Sequence, residues 1–312
     1  MKALVTGGAG FIGSHLSELL LERGATVRAI DAFTDFYPRP LKERNLQHLR
    51  GRAGYEFIEG DLREIDLTNA LDGITHVFHL AAQAGVRRSW GKEFGVYTGL
   101  NVDSTQVLLE ACVNRPIERL VYASSSSVYG DDVPIPMVET ALPQPVSPYG
   151  VTKLAAEQLC HLYYVNFGVP TVSLRYFTVY GPRQRPDMGF NRFFKAILDS
   201  KPLVQFGDGL QTRDFTYVAD AARATADAAV RGVPGRVYNI GGGARVSLRE
   251  VFDLLARVSG RKVTIDQQGP QKGDMRDTYA DTSRARADLG FAPSVTLEEG
   301  LRHMWRWMET NR

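Results

Sequence analysis

Tyr149 and Lys153 stand four residues apart in the run Pro148-Tyr-Gly-Val-Thr-Lys153, a spacing that puts both side chains on one face of a helix. A phenol with an ordinary pKa near 10 is a poor base in water. A lysine ammonium one turn away favours the phenolate. Lowering a tyrosine by about three units takes about 4 kcal/mol of differential stabilisation, which a buried lysine and a nearby cationic cofactor ring can supply together. The predicted chemistry is proton transfer at a hydroxyl, with Tyr149 as base and Lys153 as the group that tunes it. Taken alone, the pair reads better as an ordinary solvated helix face, so the elements around it must decide.

The chain opens with a short apolar strand, Met1 to Thr6, followed by Gly7-Gly-Ala-Gly10-Phe11-Ile12-Gly13 and a helical pattern ending near Gly24. Strand, glycine turn and helix in that order make a dinucleotide site credible. The spacing is G-x-x-G-x-x-G, and its physical need is a tight turn, a close backbone approach to a pyrophosphate and a helix N-terminus aimed at its charge. The second strand, Thr26 to Ile30, ends in Asp31, 18 residues after Gly13. An acid there accepts both ribose hydroxyls and repels a 2′-phosphate, which predicts NAD rather than NADP; Arg39 or Arg44 in the following loop leaves that choice open. Asp61 and Leu62, after the third strand (Tyr55–Glu59), are placed to reach the adenine. Ala81 and Ala82, after the fourth (His76–Leu80), let the cofactor pass close to the backbone.

Positioning these residues requires an α/β body. Strand and helix patterns alternate from Lys2 to about Leu174, with further strands at Arg119–Ala123 and Thr171–Arg175. That rhythm predicts a Rossmann-type, doubly wound parallel sheet with helices on both faces. The serine run Ser124–Ser127 is read as lying just after a strand, at the carboxyl end where such sheets bind ligands. The regularity loosens after Tyr176, with loops at Gly181–Pro186 and Phe206–Gly209. The division expected is a NAD-binding domain over 1–175, with 213–241 returning to it, and a smaller, mostly helical lobe from 176–212 and 242–312 that closes over a cleft.

At 312 residues and a net charge of +2 the chain has no sequence-wide basic field, which argues against nucleic acid. No apolar run approaches membrane-spanning length, and the N-terminus enters a strand directly, leaving no room for a signal peptide. Cys112 and Cys160 lie in helical stretches without metal spacing and read as buried thiols of a reducing, cytoplasmic compartment. His76 and His79, three apart on a strand, point to opposite faces and so do not form a metal pair. No metal is expected.

The glycine turn, Ser125 and Tyr149-x3-Lys153 together resemble the extended short-chain dehydrogenase/reductase family, in particular its nucleotide-sugar epimerases and dehydratases. The resemblance runs the length of the chain: Asn101 in Leu-Asn-Val102, Arg175-Tyr-Phe-Thr-Val-Tyr-Gly-Pro182, Arg213-Asp-Phe-Thr-Tyr217, Asn239-Ile-Gly241 and Tyr279-Ala-Asp281. It implies that Tyr149 takes the proton from a sugar hydroxyl while hydride leaves the same carbon for a tightly bound NAD. It further implies that Lys153 holds the nicotinamide ribose, that Ser125 hydrogen-bonds the reacting oxygen, and that Asn101 belongs to the cofactor site. Helices near Asp103–Asn114 and Gly150–Phe167 resemble those of the family's homodimer bundle.

Family dehydratases carry an Asp-Glu pair just after the catalytic Ser or Thr, and the decarboxylases carry a Glu in the second of those positions. Here the two positions are Ser126 and Ser127, neither with a usable pKa for proton chemistry at C5. This implies oxidation and re-reduction at C4. The runs Gln83-Ala-Gly-Val-Arg87, Ser124–Gly130 and Phe177–Pro182, continuing to Met188, look most like UDP-glucuronate 4-epimerases. A glucuronate carboxylate wants a charge-assisted partner; Arg185 leads, supported by Thr178 and Ser127, with Arg87 as runner-up. Arg213 is the leading cation for the diphosphate, with Arg192 and Arg276 behind it, and Gln211, Phe206 and Asp274 edge the nucleoside. The alternatives are a UDP-glucose or UDP-N-acetylglucosamine 4-epimerase, a dehydrogenase that releases NADH, and a non-catalytic dinucleotide sensor.

Overall fold

The computed structural model describes residues 1–311. Seven strands form one parallel sheet: β1 (Lys2–Thr6), β2 (Thr26–Asp31), β3 (Tyr55–Glu59), β4 (His76–His79), β5 (Arg119–Ser125), β6 (Thr171–Tyr176) and β7 (Val237–Ile240). Their order across the sheet is β7-β6-β5-β4-β1-β2-β3. The central strands read as continuous apolar or small runs because both faces are covered; Ala3, Leu4 and Val5 of β1 are fully buried. One face packs against α1 (Phe11–Glu22) and the alanine-rich α6 (Val218–Arg231), and the other against α3 (Ser104–Cys112) and α4 (Pro148–Phe167). The remaining helices are α2 (Arg39–Asn45), α5 (Gly189–Leu198), α7 (Leu248–Ser259), α8 (Ser283–Leu289) and α9 (Leu297–Thr310), apart from single turns.

The chain leaves β1 toward β2 and β3, then returns beside β1 as β4. The crevice at that reversal, outside the carboxyl ends of the strands, is where open α/β sheets bind ligands. Here the backbones nearly touch: a Cβ on Gly7 would lie 2.8 Å from the Ala81 nitrogen. The helices that frame the crevice are stopped locally. Ser147 caps α4 by accepting from the Gly150 N–H at 3.1 Å, Pro148 takes the first helical position, and Gly168 ends the helix in the left-handed region.

A second core lies beyond the sheet, where Phe190 and Phe194 of α5, Val251, Phe252 and Leu255 of α7, and Leu301, Met304 and Trp305 of α9 pack together. Capping boxes at Ser247/Glu250 and Thr296/Glu299 start α7 and α9. This region is less purely helical than the sequence suggests. Leu203–Phe206 pairs with Ile265–Gln268, and Thr212–Asp214 with Arg245–Ser247, so Phe206 ends a strand rather than sitting in a loop. Asp214, fully buried between them, accepts backbone N–H bonds from Gly242, Gly243 and Ala280 and pins those segments to the Arg213 strand.

Two further boundaries differ from the sequence reading. β5 runs on through Ser125, because Ser124 and Ser125 still pair with Arg175 and Tyr176 of β6. The helix expected near Asp103 starts at Phe94 and passes through a π-helical stretch, Thr98–Asp103. Asn101 sits in that widened turn, and such widenings gather at functional sites.

His76 and His79 are apart, as strand alternation requires, and the described residues contain no cluster of metal-ligating groups. Nor is any described helix long and apolar enough to cross a membrane. His79 is held neutral by its partners. The Thr6 hydroxyl, which accepts from the Ala81 N–H, donates to Nδ1, and Nε2–H donates to Thr105, whose own proton goes to the Asn101 carbonyl. Burial pushes the His79 pKa from 6.5 down to about 3, and burial and Arg183 push His15 down to about 4. A depressed folded pKa gives stability that is present above pH 6.5 and lost as pH falls through the folded value. The melting temperature is therefore expected to fall steadily below pH 6.5, and His79→Gln to remove about 1.4 kcal/mol per pH unit of that slope. A variant whose melting temperature keeps the full acid slope would refute the attribution.

Candidate active site

The carboxyl ends of β1 to β6 open into one cleft, and the catalytic candidates are carried by two elements beside it, α4 and the end of β5. Tyr149 and Lys153 enter on the first turns of α4, and both line the cleft. The start of α4 is pressed against the turn after β5, since a Cβ on Gly150 would meet the Ser127 carbonyl at 2.4 Å. That closeness sets Ser125 near Tyr149, where its hydroxyl favours the phenolate. Ser125 also accepts from the Ser127 N–H at 3.1 Å. Ser124, one residue earlier, also lines the cleft, and its hydroxyl donates to Glu157 Oε2 at 2.6 Å.

The electrostatics correct the expected division of labour. Burial holds the Tyr149 phenol above its ordinary value, opposed first by the Arg185 guanidinium and then by the Ser125 hydroxyl. Lys153 is itself desolvated and pushed down to about 7, its ammonium lying over the Tyr122 ring at 4.4 Å from the centroid. The cation that most favours the phenolate here is Arg185, not Lys153. Sequence could place the lysine on the right helix face but not at the bottom of a dry pocket, where the charged form is disfavoured.

The cofactor half of the cleft fits a dinucleotide. A Cβ on Gly13 would meet the Gly7 carbonyl oxygen at 2.2 Å, so only glycine permits the turn to fold this close to α1. Gly7, Gly10, Phe11, Ile12 and Gly13 line one wall; Asp31, Asp61, Leu62, Ala81 and Ala82 continue it. Asp31 is anchored by N–H donors from Ala9 and Phe33 at 3.1 and 2.9 Å. Lys42 was not anticipated: buried on α2, it lines the cleft 3.6 Å from Asp31. The two arginines that left the cofactor choice open are occupied. Arg39 grips Glu59 through two 2.7 Å bonds and lies over the Phe33 ring, and Arg44 donates to the Asn311 carbonyl. Asp61 is tied to Arg63 at 2.6 Å.

Asn101 does not line the cleft. Its amide donates to the Gln83 carbonyl and the Thr152 hydroxyl, and its oxygen accepts from the Gln83 N–H. It thus fastens the loop after β4 to α4, and Gln83 is buried with it.

Arg185 lies in the same cleft as Tyr149. Asp187 holds its Nε and Nη2 at 3.0 Å each, and its guanidinium faces the Phe36 ring 5.7 Å away. Thr178 is half-buried after β6, its carbonyl accepting from the Thr216 N–H. Ser127 is half-buried and Ser126 buried in the turn after β5. Phe36 and Asp187 gave no signal in the sequence, because the loops that carry them meet only in the fold.

A second group forms away from the sheet. Arg87 pairs with Asp274 at 2.5 Å and lies over the Phe206 ring at 4.3 Å, while Gln211 donates to the Phe206 carbonyl at 2.9 Å. The Gln211 Oε1 is buried and has no partner among the described residues. Arg213 donates to the carbonyls of Thr212 and Arg276; burial pushes its pKa down, with Asp274 and Asp131 opposing and Arg87 adding to the shift. Arg87 therefore joins Phe206, Gln211, Arg213 and Asp274, and not the Arg185 group. Arg276 is exposed and engaged with Asp208 at 2.9 Å. Arg192 is exposed on α5, its backbone N–H donating to the Met188 carbonyl.

A sequence model described as the NAD dependent epimerase/dehydratase family matches residues 3–241. An uncharacterized UDP-glucose epimerase of Bacillus subtilis is 47% identical over 305 residues, covering 96% of each chain. A UDP-glucuronate 4-epimerase of Thermodesulfobacterium geofontis is 38% identical over 312 residues, covering 99% of this chain and 96% of the relative. Among solved structures, UDP-glucuronic acid 4-epimerase from Bacillus cereus, in complex with UDP-glucuronic acid and NAD, superposes with a TM-score of 0.97 at 45% identity, covering 100% of both chains.

Proposed function

The chain belongs to the NAD-dependent epimerase/dehydratase family, and within it we propose that it inverts C4 of UDP-glucuronate to give UDP-galacturonate. The observation that carries this reading is Arg185, a guanidinium held by Asp187 in the cleft that Tyr149 lines. A sugar whose C4 hydroxyl meets Tyr149 brings its C5 substituent near that cation, and a carboxylate is the substituent a guanidinium recognises best. The similarity to UDP-glucuronate 4-epimerases over nearly the whole chain supports the same substrate.

The glycine turn, Asp31 and Ala81–Ala82 would hold NAD, which supplies a hydride acceptor, a donor for the return step and a positive charge in the cleft. Tyr149 takes the proton of the 4-hydroxyl, and Ser125, near the phenol, hydrogen-bonds the same oxygen and relays its proton. Lys153 lines the cleft with Tyr149 and, as an ammonium, would bind the ribose hydroxyls of the cofactor. The 4-keto sugar turns over, is reduced on its other face and takes the proton back from Tyr149. Ser126 and Ser127 offer no acid or base for C5, and the carboxylate that faces Tyr149, Asp187, is engaged by Arg185.

The keto stage explains why the carboxylate needs a grip. A β-keto acid loses CO₂ when its C–carboxylate bond stands perpendicular to the ketone plane. Arg185, with hydroxyls from Thr178 and Ser127, keeps that bond nearer the plane while the ring turns. Arg213 and Arg87 serve the diphosphate, and Gln211 and Phe206 the base. The same reading divides the chain into a cofactor body, 1–175 with 213–241, and a substrate lobe, 176–212 with 242–312; the pairing of β7 with β6 supports the return. Val151, Leu162 and Val165, exposed at helical spacing along α4, support a homodimer through this helix. Buried free Cys112 and Cys160 support a cytoplasmic setting.

The reading is tested by incubating the protein, without added cofactor, with UDP-glucuronate and UDP-glucose in parallel and following the C4 epimers by proton NMR. UDP-galacturonate is expected, with UDP-glucose slower by about 10- to 100-fold, the worth of one charge-assisted contact. The Bacillus subtilis relative's name favours the other order, and equal or faster turnover of UDP-glucose would establish that second reading.

A further inference from the structure

Beneath the catalytic set lies a buried ion pair that the reaction as described does not use. Glu157, one turn beyond Lys153 on α4, meets Arg175 of β6 through bonds of 2.6 and 3.0 Å, and their side chains are 1% and 3% exposed. The Glu157 Oε2 that accepts from Arg175 Nε also accepts from the Ser124 hydroxyl. Ser124 and Arg175 are register partners on adjacent strands. One carboxylate therefore joins the tip of β5, the helix that carries Tyr149 and Lys153, and β6.

Arg175 is in turn held from its far side. It lies over the Tyr129 ring at 4.6 Å and donates to the Glu139 carbonyl, and the Tyr129 hydroxyl donates to Asn239 of β7. The Glu139 carboxylate accepts from the Asn239 N–H and faces Arg284 at 3.8 Å. Glu157 thus cannot shift without moving a bonded chain that spans β5, β6 and β7.

We propose that Glu157, braced by Arg175, is the positioning residue of this active site: through Ser124 it fixes the strand tip that presents Ser125, and it sets a carboxylate one helical turn from Lys153. This rests on the reading of Tyr149, Lys153 and Ser125 as the reacting set. The groups that face the Lys153 ammonium are few. From its own helix come Tyr149, Glu157 and Cys160; from β5, the Tyr122 ring; from β4, His79, which is neutral and is itself depressed by Lys153; Arg175 of β6 is spent on Glu157. Burial pushes Lys153 down to about 7, while Cys160 and Glu157 pull it back up. The Cys160 thiol is pushed far up and stays neutral, which leaves Glu157 as the formal negative charge acting there.

The experiment compares Glu157→Gln with the charge-free pair Glu157→Met/Arg175→Met, each purified with its NAD content measured. The rate with UDP-glucuronate is followed from about pH 5 to 10. In Glu157→Gln, kcat is expected to fall about 10- to 100-fold, as for groups that orient a reacting residue. KM should stay within about twofold, because Glu157 lines no part of the cleft. The alkaline limb should move about one unit to lower pH, since Lys153 then gives up its proton more easily. The double variant removes both buried charges, a change that commonly leaves stability intact, and it too is expected to keep the low kcat and the shifted limb.

A merely structural pair predicts something else: a lower melting temperature in Glu157→Gln, with kcat and the alkaline limb of the wild type restored in the double variant. That result overturns the proposal. If Glu157→Gln does not fold, the double variant carries the test alone, and Ser124→Ala is expected to lower kcat without moving the limb. Tyr149→Phe is run in parallel; if it remains fully active, the catalytic set has been misread and the proposal falls with it.

Discussion

Tyr149→Phe is expected to lower kcat for UDP-glucuronate by about 10³-fold, the usual worth of a positioned general base. The loss should be chemical. The ring, its edge contact with Tyr97 at 6.2 Å and its place on the first turn of α4 all survive the substitution. The variant should therefore keep its NAD and bind substrate with a KM within about threefold of wild type, since an interaction made only at the reacting hydroxyl lowers kcat without weakening ground-state binding. Epimer formation by proton NMR and the absorbance of reduced cofactor after substrate addition measure both halves. Activity within tenfold of wild type would remove Tyr149 from the base role.

Arg185→Ala is expected to act on three quantities at once. Losing a charge-assisted partner should raise KM for UDP-glucuronate about 10- to 100-fold. The phenol loses the cation that most opposes its burial, so the acid limb of kcat should move to higher pH. With the carboxylate free to swing out of the ketone plane, the share of decarboxylated pentose should rise. Asp187, left without its partner, would also repel the substrate. Adding Asp187→Asn should therefore recover part of KM but not the product ratio. Unchanged KM and unchanged pentose fraction in Arg185→Ala would assign the carboxylate to another group.

The parts of this protein that were legible early share a short range. A strand, a three-glycine turn and a helix are consecutive in sequence, so Gly7–Gly13 announces its own geometry; the structure adds only how tight it is, with 2.2 Å between a would-be Gly13 Cβ and the Gly7 carbonyl. Asp31 closes β2, and strand position places it in the cleft. The misses share a long range. Asn101 carries a motif residue's identity, yet its amide is consumed by Gln83 and Thr152. Arg87 resembled a second carboxylate ligand, but the fold stacks it on Phe206 and pairs it with Asp274, 187 residues away. Ser124 looked like one more hydroxyl in a serine loop. Two extra residues of strand pairing turn it away from Ser125 and onto Glu157.

By itself the sequence determined that Tyr149 and Lys153 share a helix face, that a three-glycine turn joins the first strand to its helix, and that serines rather than carboxylates follow Ser125. Helix and strand periods convert spacing into facing over a few residues, and nothing remote can undo that. Only the tertiary structure decided how those groups are tuned. Burial sets the protonation of Lys153 and Tyr149, and burial is a property of everything packed around them. Loops distant in the chain bring Arg185, Asp187 and Phe36 to one cleft, and the register of β5 on β6 joins Ser124, Arg175 and Glu157. Spacing along a chain fixes which groups can act together; the electrostatic field that decides how they act comes from residues that meet only when the chain has folded.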